Sequence, residues 1–269
     1  MIGRIVSGFG LGLALAASAG VATAQTASFV IAQHGKSVGT ASYSFSAATD
    51  GYESTAVVRI AMEGLNYGLS KTEELDSANN LKHVQLSATV NGAAVTVNGA
   101  PDSAQLLLNF SANGHSSTTR LDRHAGAVFL ADFDPGALET LLALAVSRNN
   151  RDLWAIIPKQ AGSIEAVKLA TFADEQGTLD GKAIAVHHQV ATIAGAETHL
   201  FSGPENQLLQ AELPQAGFAL VRKGFVLTPP AKAGAPPAEP NQPAPSQPAP
   251  SQPAQGQPAP STVQPPANN

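Results

Sequence analysis

The residues best suited to chemistry lie in "AIAVHHQVATI", Ala183–Ile193. On a strand, successive side chains alternate faces, so Ile184, Val186, His188 and Val190 share one face and Ala185, His187, Gln189 and Ala191 the other. His188 is therefore expected to point inward among apolar neighbours. There its imidazole could hold the polar head of a ligand or act as a base near neutral pH. The plainer role is a core histidine satisfied by a backbone carbonyl. His187 and His188 face apart, which makes the adjacent pair a poor chelate. His199 lies on another strand and could approach either one, but no carboxylate spacing completes a metal signature. No metal and no cofactor is assigned.

"RNNRDLW", Arg148–Trp154, holds the only Trp of the chain and two arginines at a helix-to-strand junction. Arg151 and Trp154 could line a cavity mouth and grip an anionic group. Alternatively, Trp154 anchors the helix on the sheet and the arginines are solvated. The ligand-binding candidates are thus His188, Val186, Trp154 and Arg151. The acidic pairs Glu73-Glu74 and Asp174-Glu175 would matter as paired carboxylates for glycoside cleavage. Adjacent carboxylates on a strand face opposite ways, and Asp174-Glu175 reads as part of a turn with Gly177. Both pairs are expected at the solvated surface. There is no G-x-S-x-G elbow and no H-E-x-x-H helix. No residue is assigned a catalytic role, and a hydrolase using His188 with an acidic partner ranks third among the readings.

These side chains need a scaffold, and the chain spells a β-rich one. Runs of Val, Thr, Ser and Tyr are separated by turn residues at short intervals. "DG" at Asp50-Gly51 and "NG" at Asn91-Gly92, Asn98-Gly99 and Asn113-Gly114 mark tight antiparallel reversals. The exception is "DPGALETLLALAVSRNN". Asp134 can cap a helix, and Pro135 suits its first turn. Leu138, Leu141, Leu142, Ala145 and Val146 recur at helical spacing and predict one apolar face. The expected fold is mainly β: a large antiparallel meander forming a curved sheet or soluble barrel, with one amphipathic helix. Closure or curvature is favoured because large flat sheets leave long open edges.

Three segments follow. Residues 1–24, "MIGRIVSGFGLGLALAASAGVATA", carry one basic residue, an apolar stretch and small residues before a cleavage point, the pattern of a signal peptide. Residues 25–228 form the β-rich domain. Residues 229–269 hold 14 of the 19 prolines and repeat "QPAPS", which predicts a disordered, extended tail. The chain is expected to be exported, to the periplasm or beyond the cell. It has no Cys, which excludes disulfides, thiolate chemistry and a lipid-modified cysteine. With net charge −5 and no basic cluster, nucleic acid is not an expected partner. Aromatics are 5% of residues, too few for the girdles of a membrane barrel, so insertion is not expected.

The strand pattern and the closing "LLQAELPQAGFALVRKGF", Leu208–Phe225, resemble exported bacterial β-proteins of uncharacterised function. More loosely, the chain is similar to periplasmic lipoprotein-carrier half-barrels, in which a sheet wraps a helix that plugs an apolar cavity. The resemblance implies a cavity but carries no site residue over. Two roles follow. One is a non-enzymatic cell-envelope protein with a structural or interaction role, its tail meeting an envelope partner. The other is a binding or carrier module for an apolar small molecule or lipid chain.

Overall fold

The computed structural model describes residues 25–229, apart from residue 160. The expected signal peptide and the proline-rich segment from 230 onward lie outside the described residues. The first eight strands form a meander: β1 Gln25–Gln33, β2 Lys36–Ala48, β3 Gly51–Met62, β4 Leu65–Leu75, β5 Leu81–Val90, β6 Ala93–Asp102, β7 Gln105–Ala112 and β8 His115–Asp122. A short β9, Ala127–Phe129, leads into α1, Pro135–Ser147, and back to β10, Leu153–Ile157. Antiparallel strands then resume with β11 Ser163–Thr171, β12 Glu175–Leu179, β13 Lys182–Ile193, β14 Ala196–Ser202, β15 Leu208–Leu213, β16 Phe218–Arg222 and β17 Phe225–Leu227.

Each of β1 to β7 pairs with the next. The other half runs β16–β15–β14–β13–β11–β10–β9. The two halves join where β1 pairs with β16, so the first described strand is central to the sheet. The β15–β16 hairpin thus stitches the end of the domain to its beginning. Its turn passes through Gly217 at φ 67°, a left-handed conformation that glycine adopts without strain. Among the described residues only β9 and β10 pair in parallel, because the helix between them makes the long crossover that parallel pairing needs.

Among the described residues β8 and β9 are the two edges and do not pair, so the sheet is not a closed barrel. It curls far enough for β5 to approach β9 and β8 to approach β11. α1 lies inside this curl, against β2, β3, β9, β10 and β15. Enclosure changes which helix positions are buried. Leu138, Leu141, Leu142 and Ala145 are buried as the periodicity predicts, and so are Ala137, Thr140 and Leu144. Val146, expected on the apolar face, is 57% exposed.

Two strands depart from the sequence reading. "DEQG" reads as a turn, yet Glu175 opens β12. Phe225–Leu227 forms β17 after the Gly224 break. β12 pairs on one side with the first half of β13 and on the other with β17, making a small second sheet in the order β13–β12–β17. A separate core of Val186, Phe201, Leu209 and Phe225 lies beneath it.

Candidate functional site

The main core presents rows of cross-strand neighbours to the helix. One row runs Tyr43, Ala56, Lys71, Leu86, Val97 and the next Phe45, Ser54, Glu73, Val84, Gly99. Two charged residues therefore stand in the middle of an apolar face. Lys71 Nζ lies 2.7 Å from Glu73 Oε2 and 2.5 Å from Asp134 Oδ2, all three side chains being sealed from solvent. Asp134 is the helix cap, its Oδ1 accepting from the backbone N–H of Gly136 (2.9 Å) and Ala137 (3.1 Å). The ammonium thus ties the start of α1 to β4. Burial alone would lower the pKa of Lys71, but the carboxylates of Asp134 and Glu73 outweigh it and raise it. Glu73 is pushed up to about 7 by burial, against Lys71 and with help from the charge of Asp134. Two carboxylates share one cation here, and Glu73 holds a proton into the neutral range. This corrects the reading of Glu73-Glu74 as a solvated pair: Glu74 is exposed, Glu73 is not. Its signal was the period of two, which puts Glu73 in line with Tyr67, Leu69, Lys71 and Leu75.

A second polar network clamps the middle of the helix. Glu139 accepts from Leu208 N–H (2.6 Å) and from Gln25 Nε2 (2.7 Å), which also reaches Tyr43 Oη (3.1 Å). Burial raises the pKa of Glu139, while these donors pull the other way.

Between the start of the helix and the β13–β14 hairpin the packing opens into a pocket of about 160 Å³. Leu138, Ile157, Ile193, Thr198, Leu213 and Leu220 line it, under the Leu130–Asp134 segment. Phe133 in that segment has φ 57°, a conformation costly for a bulky residue. It is held there edge-on between Tyr67 and Phe218, at 6.1 and 4.8 Å between ring centres. At the rim Lys159 Nζ pairs with Asp132 Oδ1 at 2.8 Å, both well exposed. The geometry offers an apolar recess with a fixed floor and a charged lip.

None of the four candidates read from the sequence — His188, Val186, Trp154 and Arg151 — lines this pocket. His188 and Val186 do share a face, but it is the outer one, over the small second core. The odd-numbered face of β13, with Ala191 and Ile193, meets the main core. The reason is β12 and β17, which cover the even-numbered face and give it a core of its own. Trp154 stacks on His124 at 3.8 Å between ring centres. Arg151 is exposed, its backbone N–H donating to the Arg148 carbonyl. Trp154 lies level with Ala166 on β11, just beyond the position facing Ile193 on β13. His188 is five residues further along β13, roughly 16 Å by strand rise. The four residues do not form one site.

His188 has company that its neighbours along the chain do not reveal. Its Nε2 is 3.1 Å from Nδ1 of His199, and its Nδ1 is 3.2 Å from Glu175 Oε1. Phe172 and Phe201 stack on its ring. Burial lowers its pKa, with the charge of His199 adding and that of Glu175 opposing. His187 points the other way and meets Asp174 Oδ1 at 2.9 Å. Among the described residues no three His, Cys, Asp or Glu side chains stand together as a ready metal cluster. Nor is any described helix long and apolar enough to cross a membrane. Compared with known proteins, the chain matches no family model, no curated protein and no solved structure.

Proposed function

We propose that this protein is an exported binding module for a small apolar group, seated in the pocket between Leu138, Thr198 and Leu220. The observation that carries the reading is the contrast between this recess and the filled core around it. Leu141, Leu144, Leu200 and Leu208 are essentially sealed, yet beside them apolar side chains face open space. A pocket near 150 Å³ lined by aliphatic residues takes a ligand of about benzene size. A ring, or the end of an acyl chain, matches that volume. The lip pair Asp132–Lys159 would meet a polar group at the mouth.

The experiment is native mass spectrometry of protein exported to a bacterial periplasm, before and after organic extraction, with Thr198→Phe alongside. A removable extra mass, lost in Thr198→Phe while the fold persists, supports the module. A clean mass, together with no stabilisation by short alkanols or benzene, returns the weight to a structural envelope role.

A further inference from the structure

The geometry points to a transition-metal site on the outer face of the sheet, in which His188 Nε2 and His199 Nδ1 bind one Zn²⁺-class ion and Glu212 supplies a third donor. It is independent of the apolar pocket, which opens on the other face. His188 and His199 are diagonal neighbours on β13 and β14, since Val190 pairs with His199 and His188 with Phe201. Their facing nitrogens stand 3.1 Å apart. Two Zn–N bonds of about 2.0–2.1 Å at the tetrahedral angle place their nitrogens about 3.3 Å apart, close to the spacing already present, and each ring turns so that its lone pair leaves the N···N line and meets the ion.

Glu212 is directly opposite His199 on β15, on the same face. Directly opposed residues bring their Cβ atoms to roughly 5 Å, within reach of a common ion. Its Oε1 now accepts from Gln210 Nε2 at 2.6 Å, a bond that gives way as the carboxylate turns to the ion. A water completes the four positions. Glu175 is not a ligand. It holds the far nitrogen of His188, which fixes that tautomer and leaves the Nε2 lone pair free, the usual carboxylate–histidine support of a metal-bound imidazole. To bind through Nδ1, His199 carries its proton on Nε2. Phe172 and Phe201 wall the site, which favours a borderline ion on imidazoles over a hard, hydrated Mg²⁺.

The test is titration of the full chain with ZnCl₂ and, separately, MgCl₂, followed by calorimetry and by imidazole ¹⁵N resonances. One equivalent of Zn²⁺ should bind, shifting His188 Nε2 and His199 Nδ1 while Mg²⁺ does nothing. His199→Gln and Glu212→Gln, checked for unchanged melting in EDTA, should weaken binding at least tenfold. The ¹⁵N shifts on the unmutated chain keep the test valid should a variant fail to fold. Absence of Zn²⁺ binding, or shifts confined to other histidines, would overturn the site. So would a wild-type affinity in His199→Gln.

Discussion

The Lys71 ammonium is the residue-scale feature on which most depends. Removing one member of a buried charged cluster leaves its partners uncompensated, at a cost of about 3–5 kcal/mol. Lys71→Met is expected to lower stability by that order, read from urea unfolding, because Glu73 and Asp134 would then face each other without a cation. The same cluster sets a pH dependence. Glu73 titrates near 4.5 when unfolded and at about 7 when folded. Between those values the folded state binds more protons, so stability falls as pH rises from about 4.5 to about 7 and then levels. His188 acts oppositely: with its folded pKa depressed, its contribution is lost as pH falls below about 6.5. The difference between wild type and Glu73→Gln isolates the carboxyl. Melting temperatures from pH 4 to 8 should show wild type losing ground to the variant across that window. A constant offset would remove Glu73 as the titrating group. None of this was legible from the residue types alone, since Lys71 and Glu73 look like surface residues until the register places them between Leu69 and Leu75.

At the scale of elements, the meander was legible because its strands keep a period of two and turns at Asp50-Gly51, Asn91-Gly92 and Asn113-Gly114 are written as expected. Asn98-Gly99, expected as a reversal, instead lies inside β6, where the missing Cβ of Gly99 lets Val84 and Leu108 close in. The helix was legible through Asp134, Pro135 and the leucine spacing. Its surroundings were not, because a periodicity defines one face and the curled sheet covers several. Leu144 and Val146 separate the two descriptions. Leu144→Ala should cost about 2–5 kcal/mol as a fully buried leucine. Val146→Ala should change stability by about 0.5 kcal/mol or less, as an exposed position. Equal effects in thermal melts would mean the helix is not enclosed. β12 was missed because "EQGTL" is polar and carries a glycine. That glycine is required: a Cβ at Gly177 would press on the Phe225 ring and the Val226 carbonyl. Only the presence of β17 makes the sequence intelligible. The same gap misplaced His188, whose apolar face belongs to the second core.

At the scale of the molecule, the decisive contact is the one between β1 and β16, which joins two meanders into one sheet. It pairs Phe29 with Arg222 and Gln33 with Phe218, residues from opposite ends of the domain. Without β16 and β17, β1 and β15 would both become long open edges, and the core of Val186 and Phe201 would lose its Phe225 cover. Unpaired edges of that length recruit other chains. The sequence leaves the choice between barrel and open sheet unsettled, because closure depends on whether β8 meets β9, and neither strand's residues specify it. The end of the domain is sharper. The buried core side chains named above all lie before Thr228. A chain ending at Pro229 should therefore melt as the full chain does and keep any pocket ligand. A chain ending at Leu213 should lose cooperative melting and aggregate. The second truncation removes only a short stretch more than the first, so the contrast reads the β1–β16 junction rather than chain length. Equal melting of the two would show that the β1–β16 junction and β17 contribute nothing to stability.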